Sequence, residues 1–150
     1  MPAAEARSVN SVSTIDEAQL HLLIPRFYAR VRKDPLIGPV FEGAIADWDG
    51  HLDKLVSFWS SVMLTSGRYK GNPVAAHVKH SGEITPPMFD RWLALWAAVT
   101  EEVLPALDAA ELQRKADRIA ESLKLALFFR LPPAAESSAV VSSTASGKDI

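Results

Sequence analysis

Between Leu20 and Leu127 the large apolar residues recur every three or four positions, and nowhere do they alternate with period two over a useful length. That spacing puts them on single faces of α-helices. Such a chain buries its apolar surface by packing helix on helix, so the fold class is all-α. Prolines and capping residues divide the pattern. Thr14-Ile15-Asp16-Glu17 has the form of a capping box, and Leu20, Leu23, Ile24, Phe27 and Val31 follow as one stripe, which Asp34-Pro35 ends. Pro25 lies inside this stripe and predicts a kink, or two short helices meeting. Asp47 or Asp49 caps a second long helix to about Thr65, with Leu52, Leu55, Val56, Trp59, Val62 and Met63 on one face.

A polar connection from Ser66 to Pro73 leads to a short helix around Val74–His80. Thr85-Pro86 starts a helix carrying Phe89, Trp92, Leu93, Trp96, Val99 and Val103 until Pro105. Asp108 with Glu111 opens the last one, whose Leu112, Ala116, Ile119, Leu123 and Leu127 face inward. Residues 1–13 are small and polar, and 132–150 open with Pro-Pro and continue poor in large apolar groups. Both read as flexible tails, the second as disordered, around one domain at 14–131.

The chain has no cysteine, which excludes disulfides, thiolate zinc sites, Fe–S clusters, covalent haem attachment and a thiol nucleophile. A net charge of −2, with no clustered Lys/Arg of the kind a recognition helix needs, gives no reason to expect nucleic acid or an anionic membrane as partner. The residues before Ser13 lack the apolar stretch of a secretory signal, and no uncharged run approaches the roughly 20 residues of a membrane span. A cytoplasmic location is expected.

Chemistry then rests on four histidines and the aromatics. His21 lies off its stripe, on the solvated side. His51 shares a face with Leu55, Phe58 and Val62, so it is either an ordinary core-edge histidine or a ligand-facing one. His77 and His80 project from one side of a helical turn, but a zinc site needs three or four ligands and the pair supplies two. Tyr28 sits at the margin of its stripe, and Trp92 with Trp96 shares a helix face that suits a core as well as a flat cofactor. GxGxxG, Walker A and GxSxG motifs are missing.

Taken together, Phe27–Phe41 (FYARVRKDPLIGPVF), Trp48–Trp59 (WDGHLDKLVSFW), Tyr69–His77 (YKGNPVAAH) and Arg91–Trp96 (RWLALW) resemble the group III truncated haemoglobins, over the span from Ile15 to about Phe129. The resemblance implies a truncated globin, a two-on-two helical sandwich around haem b and its iron. It implies that His77 is the metal ligand, and that Tyr28, His51 and Trp92 form a polar distal pocket. Phe41 would stack on the haem, Lys54 would reach a propionate, and Phe58 and Trp59 would wall the pocket. A proximal imidazole needs its second nitrogen held by a carbonyl, and the backbone of Pro73 or Val74, one turn earlier, is the expected acceptor.

The implied function is binding of O2, NO, CO or related small ligands at a penta-coordinate iron, for oxygen or nitric oxide handling. Dioxygen held by haem gathers negative charge, and each buried donor aimed at it contributes roughly 1–3 kcal/mol. Two such donors would slow oxygen release by about 10²–10³, which suits reaction of the bound gas better than carriage. A redox enzyme on the same haem, a nitric oxide dioxygenase or peroxidase-like activity served by an unidentified reductase, is therefore the alternative. A helical interaction domain without haem is the third reading.

Overall fold

The computed structural model describes residues 14–129. Among them are six helices and no strand: α1 (Glu17–Lys33), α2 (Gly38–Ala44), α3 (Trp48–Leu64), α4 (Pro73–Val78), α5 (Pro86–Val103) and α6 (Ala106–Phe128). Helix α1 packs on both α3 and α5, α5 packs on α6, and the short α4 leans on α6. The long helices thus form two pairs, α1–α3 and α5–α6, joined through α1 and α5. This is the two-on-two arrangement expected. The proposed tails at 1–13 and 132–150 lie outside the described residues.

The core is aliphatic around an aromatic spine. Leu20, Leu23, Ile24, Phe27 and Val31 are fully buried, as their spacing predicts. Trp96 is also fully buried, stacked between Trp59 (ring centroids 4.7 Å apart) and Trp92 (5.2 Å). Its indole N–H donates to the Leu112 carbonyl at 3.2 Å, so even this polar atom is satisfied and pins α5 to α6.

Several local expectations are corrected. Helix α1 runs unbroken through Pro25, because the proline lies on the exposed face, where the carbonyl it leaves without a donor meets solvent. Its capping box is Asp16 with Gln19, not Thr14 with Glu17. Thr14 instead donates its amide to the buried Asp108 carboxylate at 2.9 Å, and its hydroxyl bonds the same group. Asp108 therefore ties the chain's entry to α6 rather than opening that helix, which begins earlier, at Ala106 after Pro105. Helix α2 was not anticipated; seven residues with two glycines and a proline carry too little periodicity to read. Lys and Arg are clustered after all. Arg26, Arg30 and Lys33 form a stripe on the outer side of α1, and the packing of α5 brings Arg91 beside them.

Two close approaches set the turn from α1 into α2. Asp34 is buried, and its carboxylate accepts from the Leu36 and Ile37 amides at 3.1 Å and from Arg91 at 2.7 Å. Burial opposes the charge, but these donors outweigh it and hold the Asp34 carboxyl below its ordinary range. Gly38 passes so near the α1 backbone that a Cβ would stand 2.7 Å from the Arg32 carbonyl oxygen, so no other residue fits without a backbone shift. This turn delivers Phe41 to the edge of the Tyr28 ring.

Candidate haem site

Helix α4 is six residues long, and its position of consequence is His77, in its last turn. Asn72 caps it by accepting from the Ala75 amide at 3.1 Å, and Pro73 fills the first helical position, where a missing N–H costs nothing. The His77 Nδ1 lies 2.7 Å from the Pro73 carbonyl oxygen. A carbonyl only accepts, so Nδ1 must carry the proton and Nε2 is left with its lone pair. Burial lowers the His77 pKa, the Pro73 bond partly opposes this, and the nearby His80 adds to the lowering. The ring is thus neutral and oriented, with a nitrogen free to bind metal.

His51 approaches from α3. Burial, then the Lys54 charge and then His77 lower its pKa to about 4, so it too is neutral at pH 7. The His51 Nε2 is buried without a hydrogen-bond partner. The edges of Tyr28 (5.9 Å between centroids) and Trp48 (5.5 Å) hold the ring.

Tyr28 is buried on the inner face of α1, against Phe27 at 4.7 Å and Phe41 at 5.7 Å. Burial pushes its phenol far above the ordinary tyrosine range, partly opposed by the Trp92 indole, its hydrogen-bonding neighbour. An indole N–H only donates, so toward Trp92 the phenol oxygen can act only as acceptor, which leaves the phenol's own hydrogen for another acceptor.

The remaining residues singled out by sequence divide. Phe41 and Phe58 are half-buried, with Phe58 edge-on to Trp59 at 5.4 Å and to Tyr69 at 5.2 Å. Phe58 also borders an apolar cavity of about 370 Å³ between α3, α4 and α6, walled by Val62, Pro73, Val74, Ile119 and Leu123. Trp59, by contrast, is buried against Trp96 in the aromatic spine, and Lys54 is exposed. Two contributors escaped the sequence reading. Trp48 precedes His51 by one helical turn, a spacing that could have revealed it. Its ring also carries the Arg32 guanidinium at 4.3 Å. Tyr69 lies in a loop with no periodicity to read, folded over Gly71 so closely that a Cβ there would meet its hydroxyl at 2.5 Å.

The residues fit a haem. A flat apolar disc with one metal valence for protein needs a single neutral nitrogen of fixed orientation, aromatic walls and few buried charges. His77 supplies the nitrogen. The unpartnered His51 Nε2 is the kind of buried polar atom that a bound ligand would satisfy.

Residues 15–127 match the bacterial-like globin family. The chain belongs to the bacterial-like globins. Among its relatives is the group 3 truncated hemoglobin ctb of Campylobacter jejuni, 33% identical over 95 residues that make up 61% of this chain and 71% of the relative. The crystal structure of a group III truncated hemoglobin from Campylobacter jejuni superposes with a TM-score of 0.69 at 30% identity, covering 79% of this chain and 95% of the other. These place the globin with the group III truncated haemoglobins. Membership makes it a haem-binding protein with iron as its metal. Among its described residues no helix is long and apolar enough to cross a membrane.

Proposed function

We propose that this globin holds haem b through His77 and binds dioxygen, nitric oxide or carbon monoxide beneath Tyr28, His51 and Trp92, in the handling of oxygen and nitric oxide. The observation that carries the reading is the 2.7 Å contact of His77 Nδ1 with the Pro73 carbonyl, because it fixes the tautomer that leaves Nε2 to the metal. When bound, haem would supply an iron that this nitrogen holds and that can take up a small diatomic ligand.

On the distal side the chain provides hydrogen-bond donors in a dry setting. Tyr28 stays protonated at every physiological pH because burial disfavours the phenolate. Trp92 holds the phenol oxygen and frees the phenol hydrogen for a ligand that gathers negative charge. Neutral His51, steadied edge-on by Tyr28 and Trp48, presents a second polar edge, and with His77 as the one protein ligand the iron would be penta-coordinate. Phe41 and Phe58 would exclude water, and Lys54, exposed one turn beyond His51, would be free to pair with a propionate. With donors this closely packed, tight retention favours turnover of the ligand. The second reading is accordingly nitric oxide dioxygenation or a peroxidase-like activity, sustained by a separate reductase in the cytoplasm.

The test is reconstitution of the full chain with haem, read by absorption in the ferrous and carbonmonoxy forms, for wild type and His77→Ala. Wild type should show the sharp Soret bands of a singly ligated haem, and the variant should lose specific haem retention. Equal retention and an unchanged spectrum in His77→Ala would remove His77 as the ligand. Sustained nitric oxide consumption with a reductant, against a single stoichiometric event, separates the enzyme from the binder.

A further inference from the structure

Away from the haem site, a second cavity has no part in anything described so far. It is a groove of about 370 Å³ on the outer side of α1 and α5, walled by Arg26, Ala29, Arg30, Lys33, Arg91 and Leu95, with Asp34 and Pro35 at one end. Arg26, Arg30 and Lys33 follow the i, i+4, i+7 spacing of one helical stripe, and Arg91 faces them from α5. The chain as a whole is net negative, yet this groove gathers four cations.

Its acids cancel only part of that charge. Asp34 is buried, with its oxygens committed to the Leu36 and Ile37 amides and to Arg91 Nε. That bond fixes the Arg91 guanidinium while using none of its terminal Nη groups. Arg30 gives one Nη to Glu102 at 2.7 Å, a pair exposed to solvent on both sides. Four cations thus face two carboxylates, Asp34 and Glu102, which leaves positive charge in excess on the α1 wall, at Arg26 and Lys33, above a floor that includes Ala29 and Leu95.

We propose that this groove binds a small anion carrying two adjacent phosphate groups. Guanidinium forks match phosphate oxygens in pairs, which favours phosphate here. Arg26 and Lys33 are separated by about 10 Å along the helix axis, more than one phosphate spans, so an elongated anion is needed to engage the whole stripe. The volume lies in the range of small-ligand sites, about 300–1,000 Å³. A concave site of this size suits a small molecule better than the convex acidic face of a protein. The ligand would tie α1 to α5 from outside, behind the inner faces that carry Tyr28 and Trp92.

Titrating the haem-loaded full chain with inorganic pyrophosphate, by calorimetry at low ionic strength, tests this. Saturable one-to-one binding is expected. It should weaken at least tenfold in Arg26→Glu/Lys33→Glu, whose side chains are exposed, and should weaken with added salt. Lys70→Glu, an exposed charge on the connection between α3 and α4, should leave it unchanged. Adenosine diphosphate binding at least as tightly as pyrophosphate would add the nucleoside to the same phosphate subsite. No saturable binding of pyrophosphate up to millimolar concentration would overturn the proposal, as would affinity that survives the double charge reversal. Binding of polyglutamate in place of pyrophosphate would also overturn it, since the patch would then dock acidic protein.

Discussion

The two sides of this molecule are finished to different degrees. Along α1, α5 and α6, Phe27, Val31, Trp96, Val99 and Leu112 are sealed from solvent, and the buried polar atoms Trp96 Nε1 and Thr100 Oγ1 both donate to backbone carbonyls. Around α3 and α4 the pocket-side aromatics Trp48 and Phe58 are half-buried, α4 has no buried residue at all, Val74 and Val78 lie exposed, and His51 Nε2 has no partner. The first side is complete as protein. The second presents the same apolar and polar groups without closing them, which is what a wall looks like when a cofactor is its other half. Burial there is deferred to binding, so the stability of this side should depend on haem as that of the core does not.

Truncating one aromatic on each side gives the widest separation. Trp96→Ala removes a fully buried indole that touches three helices' worth of core and should cost about 3–5 kcal/mol in urea unfolding of the haem-free chain. Phe58→Ala should cost about 1 kcal/mol in the same measurement, because its ring is only half-buried there, and should show its main effect as faster haem loss. Equal costs for the two variants in the haem-free chain would erase the distinction between a finished and an unfinished side.

Within the site, the next effect separates Tyr28 from Trp92. If the indole acts on the ligand only by holding the phenol oxygen, Tyr28→Phe should raise the dioxygen dissociation rate about 10–100-fold, the equivalent of about 1.4–2.8 kcal/mol. Trp92→Phe should raise it by less, and the double variant should add little to Tyr28→Phe alone. Stopped-flow displacement of dioxygen by carbon monoxide measures all three. Additive effects of the two single variants would mean that each side chain meets the ligand independently.

The same contrast governs what could be read from sequence. The finished side was legible, because burial on one face of a long helix imposes a period of 3–4 residues: the stripe from Leu20 to Val31 and the one from Leu112 to Leu127 reappear almost residue for residue. Once the resemblance makes His77 the ligand, helical spacing leaves the Pro73 or Val74 carbonyl as the partner of its Nδ1, and Pro73 is the one that meets it. What failed was local and tertiary. Thr14 looked like a helix cap because a hydroxyl near a helix start usually is one, but a carboxylate 94 positions away, Asp108, binds it more strongly than its own helix could. Helix α2 and Tyr69 carry no period to read; in the basic groove the α1 stripe of Arg26, Arg30 and Lys33 has helical spacing, but its meeting with Arg91 is tertiary and net charge hides it.

The smallest effect is in the pH dependence of stability, and it belongs to the unfinished side. His51 titrates near 4 in the folded chain against 6.5 when unfolded, chiefly because burial disfavours the imidazolium. Between those values an unfolded chain holds the proton and the folded one does not, so each step down in pH favours unfolding. The haem-free protein should therefore lose stability progressively from about pH 6.5 to about pH 4, with this residue's contribution flattening below, where both states are protonated. His51→Leu should reduce that slope while leaving the melt at pH 8 nearly unchanged, since the ring is neutral in both states there. The ring is partly open to solvent, which keeps the effect modest. An identical slope in wild type and His51→Leu would mean that the imidazole is already hydrated in the haem-free chain, and that the pocket around it is less dry than its packing implies.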